Sequence, residues 1–384
     1  MLVKQIYDLT NDVVKETLGE NVLLKEDLSN LVDVGTAVFN ANAVDNYVRK
    51  LVDHIGKMVF VNRPYRGGVP SVLMDSWEFG SVLEKVSGDL YDATENETWD
   101  LQDGQTYNQD IFYKPKAVVK FYNSKTTFEI PMSFTERQLK ESFSNATQLN
   151  SFLSMLMNDV EKSLTIKIDA LIQRTINNMI CETIYDDYGS AALASKSGVK
   201  AINLLYLYNN AFSKQLTAAQ AILDKDFIRY ASLQIMLYVG RIQKMSRLFN
   251  IGGQARFTPE DMLHLVMLDE FKASANVYLQ SDTFHDEYTK LPNAESVPFW
   301  QGSGTGYAFA DTSKIYVTTS ENHDVTATGV LAVLWDRDAL GVSNPDRRVT
   351  THYNAKAEFY NNYYKHDASY FNDFNENMIV FFIA

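Results

Sequence analysis

Between Pro131 and Gly189 the chain contains neither a proline nor a glycine. Inside that stretch Leu149, Phe152, Leu153, Leu156, Val160, Leu164, Ile168, Leu171, Ile172, Ile176, Met179 and Ile180 recur at spacings of three and four, the period of one helical face. Asn145 or Thr147 is available as an N-cap, and Gly189 stands past the end. The pattern predicts a helix over about 146–186, some 60 Å long at a rise of 1.5 Å per residue. Ordinary helices average about 11–12 residues, so this one would be a spine around which the rest must be arranged. No strict heptad runs through it, which removes a coiled coil as the explanation. A break near Ser163–Thr165, giving two core helices, is the competing reading.

The chain ahead of the spine does not read as a compact domain. Thr10–Leu18 is a short amphipathic helix with Val13, Val14 and Leu18 on one side. Asn42–Ile55 is a second, with Val44, Tyr47, Val48, Leu51, Val52 and Ile55 in one row, closed by Gly56. Helices this short are marginal alone, so their stripes must dock, either on their own chain or on a neighbouring one. From Arg63 to Pro70 the sequence turns to punctuation. Asp89, Asp92, Glu95, Glu97, Asp100, Asp103 and Asp110 then follow with no Lys or Arg between Lys85 and Lys114. Seven uncompensated carboxylates on so few aliphatics make a solvated loop or long hairpin, not a core. Trp99 and Tyr107 within it are aromatic residues that would suit a partner surface.

Next come Ala117–Tyr122 and Thr126–Ile130, which read as a β-hairpin turning at Asn123-Ser124-Lys125, with Pro131 ending the second strand. Ala218–Phe249 reads as helix, closed by Gly252-Gly253. Leu263–Leu268, Lys314–Thr319, Val330–Trp335 and Met378–Ile383 read as strands. Ten of the last 32 residues are aromatic, which suits a twisted antiparallel ribbon. Helices and strands alternate irregularly, so the fold class is α+β, and no repeat of 20–50 residues points to a solenoid or propeller.

Composition excludes more than it selects. Lys and Arg total 35 against 48 Asp and Glu, a formal charge of −13, which argues against a nucleic-acid backbone as the main partner. No apolar run reaches the roughly 18 residues of a membrane span, and Met1-Leu2-Val3-Lys4 opens no signal peptide, so a chain made in the cytoplasm is expected. One cysteine, Cys181, rules out an intrachain disulfide and reads as a buried apolar residue of the spine. No G-x-S-x-G occurs, and Gly302–Gly306 lacks the residues of a phosphate loop. The histidines at 54, 264, 285, 323, 352 and 366 never stand at i, i+4, and His285-Asp286 and His323-Asp324 are neighbours that point apart. No calcium-loop register accompanies the acidic segment. The expectation is therefore no catalytic residue, no cofactor and no metal.

Several phrases then point together. Phe128-Glu129-Ile130-Pro131-Met132-Ser133-Phe134-Thr135 before the spine resembles the major capsid proteins of tailed bacteriophages, of the Hong Kong 97-type fold. So do Thr258-Pro259-Glu260-Asp261-Met262-Leu263, Val277–His285, and Trp335-Asp336-Arg337-Asp338-Ala339 leading to Tyr353-Asn354. The resemblance implies an N-terminal arm over 1–56, linking strands and an extended E-loop over 57–116, and a peripheral domain with the spine helix over 117–200. An axial domain over 201–342, a peripheral ribbon over 343–375 and a final axial strand over 376–384 complete it. It implies an icosahedral shell of hexamers and pentamers around double-stranded DNA, with a portal and, as further candidates, scaffold or decoration proteins.

On this reading the E-loop tip, Asp89, Asp92, Glu95, Glu97, Trp99, Asp100, Asp103 and Tyr107, contacts an adjacent subunit. The arm docks through Val44, Tyr47, Val48, Leu51, Val52 and Ile55. The candidate basic partner patch is Arg347, Arg348, Lys356 and Lys365. No crosslinking pair is identifiable, and a separate scaffold or none is expected. The competing readings are an encapsulin-like compartment, a phage tail or adhesion protein, and a glycosidase-like enzyme whose sign would be a deep pocket converging on two carboxylates.

Overall fold

The computed structural model describes residues 11–16, 23, 25, 33–34, 36–37, 50, 69–74, 83–88, 103–104, 110, 114, 117–135, 137, 146–280, 294–300 and 314–384. In chain order the elements are β1 (Leu73–Met74), β2 (Leu83–Gly88), β3 (Ala117–Tyr122), β4 (Lys125–Thr135), α1 (Ala146–Tyr188), β5 (Ala201–Asn203) and α2 (Leu204–Phe212). They continue with α3 (Ala218–Ala221), α4 (Lys225–Ile242), β6 (Leu263–Leu268), α5 (Asp269–Gln280), β7 (Glu295–Val297) and β8 (Ile315–Thr318). The last are β9 (Asp324–Ala327), β10 (Val330–Asp336), β11 (Leu340–Asn354), β12 (Phe359–Asn372) and β13 (Met378–Phe382). Two compact units emerge, one of Met1–Glu78, Lys125–Gln173 and Val342–Ser369, the other of Phe79–Ser124, Arg174–Gly341 and Tyr370–Ala384.

The spine is real and unbroken: α1 is a single helix of 43 residues, without the interruption at 163–165. Val160, Leu164, Ile168, Leu171, Ile172, Ile176, Met179 and Ile180 form its buried row. Thr183 donates its hydroxyl to the Met179 carbonyl at 2.8 Å, so a β-branched polar residue sits in the helix without an orphan group. Gly189 ends the helix at a φ of 56°, its N–H donating to the Tyr185 carbonyl at 2.7 Å, the left-handed cap that glycine adopts without strain. Cys181 is wholly buried, and burial pushes its thiol up, away from the nucleophilic form.

In the first unit a sheet runs in the order β1-β11-β12-β4. The expected hairpin between 117–122 and 126–130 does not form. β4 pairs antiparallel along its length with β12, from Lys125↔Ser369 to Thr135↔Phe359. Nor does Pro131 end the strand; it pairs opposite Tyr363. β4 is the sheet's edge, where the absent N–H of proline breaks no ladder. Phe128 and Phe134 turn inward from β4, and Phe134 meets Tyr360 at 5.5 Å between ring centroids. Tyr360 also meets Tyr353 at 4.8 Å, so the aromatic C-terminal sequence does build a ribbon. Residues 11–16 are helical, with Val13 and Val14 buried within the single chain, and Glu16 pairs with Lys50 at 2.8 Å.

The second unit is built on a sheet in the order β5-β13-β10-β6-β7. β10 lies antiparallel to β13 and β6, while β5 and β7 are added in parallel at the edges. Every residue of β10 and β13 is buried, which is why both read as continuous apolar runs. Trp300, Trp335, Phe227, Phe271, Phe381 and Phe382 fill this core, and the Trp300 indole donates to the Val330 carbonyl at 2.9 Å.

The expected helix over 218–249 is two helices, because the Asp224 carboxylate accepts from the Phe227 N–H at 2.8 Å and starts α4 anew. Asp187, at the end of α1, accepts from the backbone N–H groups of Lys200 and Ala201 at 2.6 and 2.7 Å and turns the chain into β5. Among the described residues, no helix is long and apolar enough to cross a membrane.

Candidate functional site at the root of the 89–116 segment

β2 and β3 pair antiparallel from Leu83↔Tyr122 to Gly88↔Ala117, so they are the two roots of everything between residues 88 and 117. Side chains alternate across such a ribbon, and here the alternation is inverted. Leu83, Lys85 and Ser87 of β2, with Lys120 and Tyr122 of β3, face inward. Glu84, Val86, Val119 and Phe121 face solvent, with Val86 63%, Val119 44% and Phe121 64% exposed. A ribbon that turns its lysines in and its valines and phenylalanine out has exchanged the usual faces.

The inward lysines stand directly opposite each other, Lys85↔Lys120, a pairing that like charges disfavour. Asp373 resolves it. Lys85 reaches Asp373 Oδ2 and Lys120 reaches Asp373 Oδ1, each at 2.8 Å. Lys85 also donates to Glu376 Oε1 at 2.8 Å and to the Asp338 carbonyl at 3.2 Å, and Arg256 lies 3.6 Å from Glu376. The loop holding these carboxylates is fixed by its own backbone: the Asp373 N–H donates to the Ala339 carbonyl at 2.7 Å, and the Asn375 N–H to Asp373 Oδ1 at 3.1 Å.

Behind it, Thr258 donates to Asp336 Oδ2 at 2.7 Å and accepts from Asn377 Nδ2 at 3.2 Å. The Arg337 N–H donates to the Met262 carbonyl at 2.8 Å. Two phrases that stood out in the sequence, Thr258–Leu263 and Trp335–Ala339, thus support the same root.

Burial opposes the charge on Asp373, but hydrogen bonds from Lys120 and Lys85 overcome it and hold the carboxyl down at about 2. Burial alone would lower Lys85, yet its bonds to Asp373 and Glu376 hold it above the ordinary lysine value. For Glu376 burial wins, and its carboxyl is raised despite Lys85 and Arg256. Burial also raises the Tyr122 phenol beside them.

A group depressed below its unfolded value stabilises the fold above that value and ceases to as pH falls through the folded one. Asp373 stability should therefore fade as pH drops below about 4 towards about 2. Denaturation midpoints between pH 5 and pH 2 should show the loss, and Asp373→Asn should flatten it; equal slopes in the two proteins would refute the assignment.

Of the E-loop tip residues, Asp103 is exposed in a turn with Gly104. Asp89, Asp92, Glu95, Glu97, Trp99, Asp100 and Tyr107 lie outside the described residues, as do Val44, Tyr47, Val48, Leu51, Val52 and Ile55 of the arm. The candidate basic patch is partly engaged by its own chain. Arg348 is bidentate to Asp367 at 2.5 and 3.1 Å, and Lys365 pairs with Glu129 at 3.2 Å. Lys356 is exposed in the turn after β11, and Arg347 lies within β11.

Near the root a cleft of about 360 Å³ is lined by Tyr122, Ser124, Arg174, Glu182, Ser320 and Tyr370 among others. Glu182 is the one carboxylate on it and accepts from the Ser320 N–H at 2.6 Å, so this cleft lacks the carboxylate pair of glycoside chemistry. Among the described residues no group of three or more His, Cys, Asp and Glu could hold a metal ion. His323 is exposed and stacks on Tyr185 at 4.8 Å.

The sequence search missed Lys85, Lys120, Asp373 and Glu376. The one signal available was the alternation Leu83-Glu84-Lys85-Val86, in which a lysine takes the phase of an apolar residue.

The chain is similar to the major capsid protein of Bacillus phage GA-1, 22% identical over 191 residues, an alignment covering 48% of this chain and 38% of that protein. Its structure is similar to the capsid structure of Staphylococcus phage Andhra with a TM-score of 0.50 and 9% identity, covering 82% of this chain and 83% of that one. The fold is accordingly the α+β Hong Kong 97-type capsid fold that the sequence resembles. The description of one family matches from residue 10 to residue 382, and the chain belongs to that family, the Phi29-like phage major capsid proteins.

Proposed function

We propose that this chain is the shell-building subunit of a tailed double-stranded DNA bacteriophage, made in the host cytoplasm and associating with itself as hexamers and pentamers into a closed icosahedral capsid. Family membership sets the class, and the observation that carries the reading is the inverted ribbon. A two-stranded root locked by buried ion pairs on one face, with Val86, Val119 and Phe121 bare on the other, leaves an apolar surface that a neighbouring chain can cover. Heterologous contacts of this kind, repeated by rotation, are what close a ring or a shell.

Residues 117–200 and 343–375 take the peripheral role, and 201–342 with the final strand 376–384 take the axial one. The chain does this without catalysis. Its net charge of −13 suits a container that must release DNA, with the portal, and scaffold or decoration proteins, as further partners. Deleting residues 89–110 should leave a folded subunit by circular dichroism that sediments without forming closed shells. Undiminished shell formation by the deletion variant would overturn the role given to this segment.

A further inference from the structure

The second unit carries another surface that its own chain leaves bare. Phe227, Ile228, Ala231, Ile235 and Ile242 are the buried side of α4. On its opposite side Leu233, Met236, Leu237, Gly240 and Arg241 follow one another at helical spacing, and Lys244 extends the row. Leu233 is 53%, Met236 41% and Leu237 44% exposed. Ser246 and Arg256 exchange backbone hydrogen bonds at 2.9 and 3.0 Å, and their chain neighbours Met245 and Phe257 are both exposed.

Gly240 is the informative residue. A glycine inside a helix is destabilising relative to alanine, so it calls for a reason. A Cβ at Gly240 would meet nothing within 4 Å, and so no described residue of its own chain requires glycine there. A second backbone lying against the helix would.

Charge says which backbone. Arg241, Lys244 and Arg247 are exposed, and no carboxylate among the described residues pairs with them. No acidic residue occurs between Asp226 and Glu260, in a chain whose net charge is −13. The complementary stretch is 89–110, with seven carboxylates, no cation, and the aromatic residues Trp99 and Tyr107. We infer that the α4 stripe and the loop after it, through Arg241, Lys244, Arg247 and the bare apolar side chains around Gly240, receive the acidic 89–110 segment of a second copy of this chain. Phosphate would satisfy the cations but would leave Leu233, Met236, Leu237 and Phe257 uncovered, so a protein segment fits the surface better than DNA. The inference rests on the shell reading and gives it an acceptor other than the 347–365 patch, where Arg348 and Lys365 are already paired.

The test is a charge swap in the full chain, read by sedimentation velocity as the concentration at half-association. R241E/K244E/R247E should raise that concentration at least ~10-fold, as should D92K/E95K/E97K, and the combined swap should return it to within about threefold of the unmodified protein. Gly240→Ala should raise the melting temperature or leave it unchanged while still weakening association. Three results would overturn the inference: no effect of the R241E set, no rescue by the combined swap, or loss of duplex DNA binding as the only change. An unmodified chain that never associates would sink the shell reading itself. Normal association indifferent to the R241E set would sink only this acceptor.

Discussion

Asp373→Ala is expected to cost about 3–5 kcal/mol, the range for removing one member of a buried ion pair. The reason lies in register. Lys85 and Lys120 face each other across β2 and β3, and Asp373 is the carboxylate they share. Without it two ammonium groups remain opposed on the inward face, with Glu376 reaching only Lys85. Urea denaturation of the full chain measures the effect directly. Adding Lys120→Met to the alanine variant should recover part of the loss, because it removes the ammonium left unpaired. A change below about 1 kcal/mol would mean that the root is held by backbone pairing alone.

The second large effect falls on association and spares the fold. Val119→Thr with Phe121→Ser alters side chains that are 44% and 64% exposed, so the isolated subunit should keep its stability to within about 0.5 kcal/mol. If a neighbour covers them, each buried aromatic anchor lost should cost about 2 kcal/mol of association, a factor of about 30 in the concentration needed. Equal melting curves with a large shift in sedimentation would support the ribbon as a contact surface. Equal sedimentation would show that its apolar face stays wet.

The spine was legible because its signal is local: no proline or glycine from Met132 to Tyr188, and an apolar row that survives at every turn. β10 and β13 were legible for the same reason, each being one short, fully buried run. β3 and β4 were not. The triplet Asn123-Ser124-Lys125 suggests a hairpin, yet β3 finds its partner behind the acidic segment and β4 finds Phe359–Ser369 far ahead. No local preference encodes a pairing at such separation; packing chooses it.

The ion cluster was hidden for a related reason. Lys85 and Glu376 are separated by 291 residues, and a lysine facing inward violates the alternation used to read a strand. The acidic segment was conspicuous in the sequence, whereas its candidate acceptor emerged only when exposure singled out one side of α4.

If adjacent copies cover the apolar surface that this polypeptide keeps bare in isolation, the assembled particle must show it. An electron cryo-microscopy map of the assembled particle tests it in one measurement. The expected result is a closed shell in which density from a neighbouring chain lies over Val86, Val119 and Phe121. A small fixed oligomer, or a shell in which those three side chains still face solvent, would contradict it.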